Sequence, residues 1–412
     1  MLGHNLSMDS DLRSLLNKGP FLSFLWARLL SVISLQMLLV ALAWQMYDLT
    51  HSAWDLGLVG LFQFVPALLL VLPAGHAADR FNRATIFAVC SLAQGVVAAV
   101  CVAALMLDFQ SRELILALSV ALGVIRAFQM PAQQALTPSL VSDHLLARAV
   151  AISSSAMQVG IIGGPALGGL IYAMEPPWTY GLCALLAFAA LVAMRGVRGL
   201  HKARTHVRVS WVDVWAGLVF VRHQRMLLGA VTLDMFAVLL GGATALLPIY
   251  AKDVLMVGPQ GLGLLRACPA VGALAMSLAL SRWPLQRRIG RVLFAAIAVF
   301  GVATVVFGLS HDLWLSVLAL LVIGAADNVS VVIRSTVMQL ETPEHMRGRV
   351  SAINAIFIGA SNQLGEFESG AVAAWWGPQA SVISGGLGTL LVAACWWRWF
   401  PQLAHRDQFK AG

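Results

Sequence analysis

Apolar runs of roughly 20 residues follow one another along almost the whole chain, and that is the length at which a helix crosses the hydrocarbon core of a bilayer. We read twelve of them, at about 20–47, 55–75, 84–107, 114–140, 147–173, 177–194, 226–250, 259–280, 291–310, 313–339, 350–373 and 377–400. Composition agrees: 59% of the residues are hydrophobic and 11% charged, whereas a soluble domain carries roughly 25% charged residues. The expected fold class is an all-α membrane protein with twelve transmembrane helices.

A formal charge of +8 raises the question of nucleic acid or another acidic partner, and its distribution answers it. With the N-terminus cytoplasmic, Arg112 and Lys252 lie outside, Arg28, Arg126, Arg266 and Arg334 lie within helices, and the rest of the 27 Lys and Arg fall in cytoplasmic loops and tails. That is the positive-inside pattern, with both termini cytoplasmic and no nucleic-acid partner expected. The polar tail before Gly19 and the long first apolar run do not read as a cleaved signal peptide. The five cysteines all sit in apolar segments without Cys-x-x-Cys spacing, so neither a disulfide framework nor a metal site is expected.

Within the run 147–173, Gly160, Gly164 and Gly168 recur every fourth residue and share one helix face, with Pro165 and Gly169 beside them. Such a bare face allows a neighbouring helix to come close, and lipid tolerates the proline because neighbours can satisfy the freed backbone groups. A shift of 201 positions lays Gly123 over Gly324, Arg148 over Arg349, Gly164 over Gly365 and Gly169 over Gly370. One offset held over so long a stretch indicates a duplicated half. Under it Arg126 falls on Asp327, and Pro165 on Glu366. The halves are expected at 1–194 and 226–412, as two six-helix bundles. They are joined by a basic cytoplasmic linker at 195–225 whose tryptophan-bearing part, Trp211 to Val221, reads as an interfacial helix.

The loop after the second run, Gly75-His-Ala-Ala-Asp79-Arg80-Phe-Asn-Arg83, concentrates a carboxylate and guanidiniums in a short turn. It resembles the signature loop of the major facilitator superfamily at Gly75, Asp79, Arg80 and Arg83, and departs from it at Asn82 and Ala84. Gly160, Gly164, Pro165, Gly168 and Gly169 resemble that superfamily's antiporter motif, and Arg126 its mid-membrane arginine. Ala43 to Thr50 and the Pro343 to Ser351 loop resemble the enterobactin-exporter-like branch. The second-half counterpart of the signature loop, Arg287-Arg288-Ile289-Gly290-Arg291, keeps bases and lacks the acid.

The resemblance implies two bundles that open alternately to either side, a bacterial inner-membrane location, and the export of a siderophore-like or drug-like molecule against inward proton flow. The alternative is a proton-coupled importer of a small anionic metabolite, with Arg28 and Arg126 clamping its carboxylate. A sensor or scaffold role would call for large soluble extensions. No cofactor is expected, the protein reads as a monomer, and no nucleophile-and-base or phosphate-loop motif supports an enzyme. Ionisable residues inside spans are costly and mark function or pairing. For proton coupling the candidates rank Asp234 first and Glu366 second, while Asp327, as the repeat mate of Arg126, reads as an acid that can neutralise it. Glu368 lies nearer the helix end.

Overall fold

A computed structural model describes residues 19–197 and 211–409, so the basic stretch from Arg198 to Arg208 lies outside the described residues. Among the described residues there is no β-strand. The principal helices are α1 Gly19–Thr50, α2 Ala53–Leu69, α3 Val71–Arg80, α4 Arg83–Met106, α5 Arg112–Leu140, α6 Leu146–Met174 and α7 Pro176–Ala193. They continue as α8 Trp211–His223, α9 Arg225–Leu240, α10 Gly258–Arg282, α11 Ile289–Leu309, α12 Leu313–Glu341, α13 Glu344–Trp376 and α14 Pro378–Trp399.

Among the described residues, 10 spans are long and apolar enough to cross a membrane. The other two expected segments depart for different physical reasons. The run 55–75 is interrupted: α2 ends at Leu69, Leu70 sits at φ −95°, ψ 1°, and α3 starts afresh at Val71. Pro73 has no N–H to return to the Leu69 carbonyl, so the helical ladder lapses there. The run 350–373 lies inside the unbroken 33-residue helix α13, which carries Asn354, Asn362, Gln363, Glu366 and Glu368 and is correspondingly less apolar. A third departure concerns 226–250, expected as one helix. There α9 stops at Leu240, Gly241 and Gly242 break the ladder, and short helical turns lead into a π-helical segment at Tyr250–Val254.

By contact the chain divides into two compact units, residues 1–42 with 65–208, and residues 43–64 with 209–412. In the first, α4 packs on α5 and α7, α3 on α5, and α6 on α5 and α7. Lipid is as apolar as leucine, so helix association there depends on close packing rather than on removal from water. The glycine face of α6 is the clearest instance. A Cβ at Gly164 would stand 2.6 Å from Gln36 Cβ and 3.1 Å from the Ile33 carbonyl, and one at Gly168 would stand 2.9 Å from Met37 Cα, all on α1.

The second unit uses the same device. Its α13 lies on α9, where a Cβ at Gly365 would stand 2.8 Å from the Leu239 carbonyl oxygen. Gly365 is the repeat mate of Gly164, so both units join their helices through equivalent glycines. Nearby, α10 and α12 cross where Gly272 meets the Leu321 carbonyl and Gly324 meets that of Pro269. The helix α8 packs on α13 through Gly217, and Val221 is buried with Leu227, Val231 and Val350. Trp215 on the same helix is 67% exposed.

Candidate functional site

The strongest electrostatic feature of the second unit joins α9 to α12. Asp234 Oδ2 pairs with Arg334 Nη1, and the two residues are only 6% and 3% exposed. One hundred residues separate them in sequence, and the acid, whose own helix carries a base only at its first residue, Arg225, receives one from another. A buried charge that loses its partner costs several kcal/mol, so removal of either member would strand the other. Asp327, on α12 of this unit, is half-buried. So is Glu366 on α13, which stands where α2 offers no side chain: a Cβ at Gly60 would lie 2.8 Å from its Oε2. Glu368 is half-buried two residues further on.

In the first unit, Arg28 on α1 is 9% exposed. Its Nη1 donates to Ser153 Oγ at 2.5 Å and its Nη2 approaches Met157 Sδ at 3.2 Å, both on α6, while its Nε is buried without a partner. An arginine inside a span costs about 3 kcal/mol even on insertion scales, and a hydroxyl and a thioether do not offset a full charge. The geometry therefore suits an anionic group arriving beside α1. Arg126 on α5 is half-buried, and no described residue of its own unit hydrogen-bonds or ion-pairs with it.

A polar ladder below Arg28 escaped the sequence reading. Gln94 on α4 accepts from Ser31 Oγ and donates to Ser34 Oγ at 2.8 Å, Gln129 on α5 donates to Ser31 Oγ at 2.9 Å, and Ser34 donates to the Cys183 carbonyl. Four helices are tied together in this way, and none of the network's atoms is among the buried polar atoms left without a partner, the arrangement under which a buried polar network rigidifies rather than weakens. A serine at each of 31 and 34 on an otherwise apolar stretch is the one sequence signal for it.

The stretch expected as a loop is mostly helical: Gly75, Asp79 and Arg80 lie within α3, and only Phe81 and Asn82 separate it from Arg83 at the start of α4; Arg80 is exposed, and the Asp79 side chain lies outside the described residues. Arg83 donates to the carbonyls of Ala78 and Ala135, both at 3.2 Å, so one guanidinium closes the ends of α3 and α5 together. Asn82, where the signature loop has glycine, caps α4 by accepting from the Ala84 N–H at 2.9 Å. Gly160, Gly164, Pro165, Gly168 and Gly169 are all buried on α6. Within the second unit, Tyr47 bonds Asp253, and Lys252 pairs with Asp48 at 2.5 Å.

Among the described residues, no cluster of three or more His, Cys, Asp or Glu side chains is able to hold a metal. What the two units offer instead is buried charge next to close-packed helices. The profile of the family described as transmembrane secretion effector matches residues 14–409. Over 398 residues the chain is 27% identical to the enterobactin exporter EntS of Shigella dysenteriae serotype 1, a match that spans 96% of this chain and 95% of that protein. EntS of Escherichia coli strain K12 matches over the same length at the same identity. In fold it is similar to a point mutant of the nucleoside transporter NupG, with a TM-score of 0.76 at 13% identity over 92% of this chain and 99% of that one. A bacterial homologue of the human lysosomal transporter Spinster gives a TM-score of 0.73 at 14% identity, over 95% of this chain and 98% of that one.

Proposed function

This chain belongs to the transmembrane secretion effector family of the major facilitator superfamily, and from that membership we propose that it exports a siderophore-like or drug-like small molecule by proton antiport. The observation that carries the proposal is the length of the match to enterobactin exporters, 96% of the chain, which takes in both units rather than one motif. The halves 1–194 and 226–412, joined by 195–225, act as the two bundles of an alternating-access carrier in the inner membrane, with both termini cytoplasmic. The loop at Gly75, Asp79, Arg80 and Arg83 works as the conformational switch, and the glycine face of α6 as the packing seam that lets α1 move as a unit with it.

Asp234 is the coupling acid in this reading, with Arg334 as its counter-ion. A carboxylate beside a base can release its proton when the base is near and take it up when the base withdraws, so helix movement and proton transfer become one event. Glu366 is second in rank. Arg28 and Arg126 supply the positive charge that an acidic substrate needs. Arg28 also keeps a second reading in view, an importer of a small anionic metabolite, because its unpartnered Nε serves an anion travelling in either direction.

Uptake into everted membrane vesicles decides between them. Energised vesicles that hold the protein should accumulate substrate from a panel of catecholate siderophores and hydrophobic cations, and a protonophore should abolish that accumulation. Accumulation of a compound only in right-side-out vesicles would replace the exporter by the importer.

A further inference from the structure

At the end of the first unit that bears Arg80, Arg83 and Arg195, a cavity of about 240 Å³ opens between α4 and the 3₁₀ turn Met194–Val197 that follows α7. Its lining is sorted by depth. Asn82, Thr85 and Arg195 stand at one end, and Val89, Leu92 and Leu191 at the other. Thr85, Val89 and Leu92 recur at helical spacing, so one face of α4 changes from polar to apolar within two turns. The apolar wall continues outward, where Val89 is 57% exposed and Val96 49%.

Two features shape this hollow. Gly196 lies against α1, where a Cβ would come within 2.4 Å of Ser23 Oγ, and Met194 and Val197 of the same turn are buried in one cluster with Phe87 of α4. Arg83, the other cation at this end, is turned inward to the carbonyls of Ala78 and Ala135, so it neither fills nor charges the cavity. Arg195 is exposed at the rim, and among the described residues it has no ionic or hydrogen-bond partner. The lining contains that one cation and no carboxylate.

We propose that this cavity is a binding site for an anionic glycerophospholipid, with the phosphate on Arg195 beside Asn82 and Thr85 and an acyl chain along Val89, Leu92 and Val96. Basic pockets at the ends of spanning helices hold anionic headgroups in this way. A free phosphate would leave the apolar wall bare. A zwitterionic lipid would bring an ammonium group toward an arginine with no carboxylate among the described residues of the lining to receive the charge.

Native mass spectrometry on the purified full-length protein tests the site, with dioleoyl phosphatidylglycerol, dioleoyl phosphatidylethanolamine and free glycerophosphate as probes. One basic contact at the surface corresponds to about a fivefold preference for phosphatidylglycerol over phosphatidylethanolamine. Arg195→Gln should remove that preference and Arg195→Lys retain it. Val89→Trp, at a position exposed enough to leave the fold intact, should lower the occupancy of both lipids. Equal binding of the two lipids by the unaltered protein overturns the proposal, and so does a preference that survives Arg195→Gln or an occupancy that Val89→Trp leaves unchanged. Displacement of the lipid by glycerophosphate at the same concentration also overturns it, by reducing the site to one for a bare anion.

Discussion

The carboxylate of Asp407 accepts a hydrogen bond from the backbone N–H of Arg288 at 3.1 Å, close to the end of the chain and 119 residues away from that arginine. Arg288 lies in the left-handed region at φ 56° and precedes the first turn of α11. The loop that kept its bases and lost its acid thus receives an acid from elsewhere. Gly290 N–H donates to the Arg406 carbonyl at 2.9 Å, and Arg406 pairs with Glu341 at the end of α12 at 2.7 Å. Chain end, loop and two helices form one joint.

Asp407→Ala should therefore behave as the loss of a helix cap. The expected cost is about 1 kcal/mol, visible as a lower thermal unfolding midpoint of the purified protein. An unchanged midpoint would mean that water serves the Arg288 N–H equally well.

The buried pair makes a sharper demand. Arg334→Leu alone strands Asp234 without a counter-ion and should destabilise the protein by about 3–5 kcal/mol, whereas Leu at both positions should be tolerated. The double variant should be well folded and unable to drive uphill transport. Asp234→Asn should also abolish proton-driven accumulation in vesicles while leaving downhill exchange partly intact. Should Asp234→Asn still concentrate substrate with a normal pH dependence, the coupling role passes to Glu366, and Glu366→Gln becomes the variant to measure.

Close packing gives a prediction with its own control. Gly164→Ala places a methyl group 2.6 Å from Gln36 Cβ and 3.1 Å from the Ile33 carbonyl, so α6 and α1 must separate. Gly163→Ala, one residue away, meets nothing within 4 Å. Transport should fall at least about tenfold in the first, corresponding to about 1.4 kcal/mol, and stay near normal in the second at equal membrane abundance. Equal activity of the two would remove the glycine seam from the mechanism.

The signature loop bears on rate rather than affinity. Asp79→Asn alters a conformational equilibrium in the proposed mechanism, so turnover in reconstituted vesicles should fall far more than substrate binding. Arg83→Gln should instead lower stability, by about 1–3 kcal/mol, because two carbonyls at the ends of α3 and α5 lose a charged donor. A variant at Asp79 that turns over normally would take the switch out of this account.

How much of this was legible follows from what lipid imposes locally. A spanning helix has to be apolar for its whole length and has to satisfy its own backbone, so segments, helical class, repeat and the small-residue face of α6 could be read from the sequence of residues alone. The polar content of α13 was equally plain, because each Asn, Gln and Glu announces itself. Breaks were harder: Pro73 and the Gly241-Gly242 pair were present in the sequence, yet an apolar run with a proline or two glycines in it still looks continuous by composition.

Partnerships were a different matter. Asp234 and Arg334, Arg28 and Ser153, Gln94 and Ser31, Arg288 and Asp407 each join residues at least 60 positions apart, and nothing local distinguishes a paired side chain from a free one. The sequence by itself determined that charge would be buried, because ionisable residues stood inside apolar runs. Which charge met which, and that Arg28 met none, was decided only when the helices packed, since glycine contacts set helix crossings and the crossings set the facing side chains.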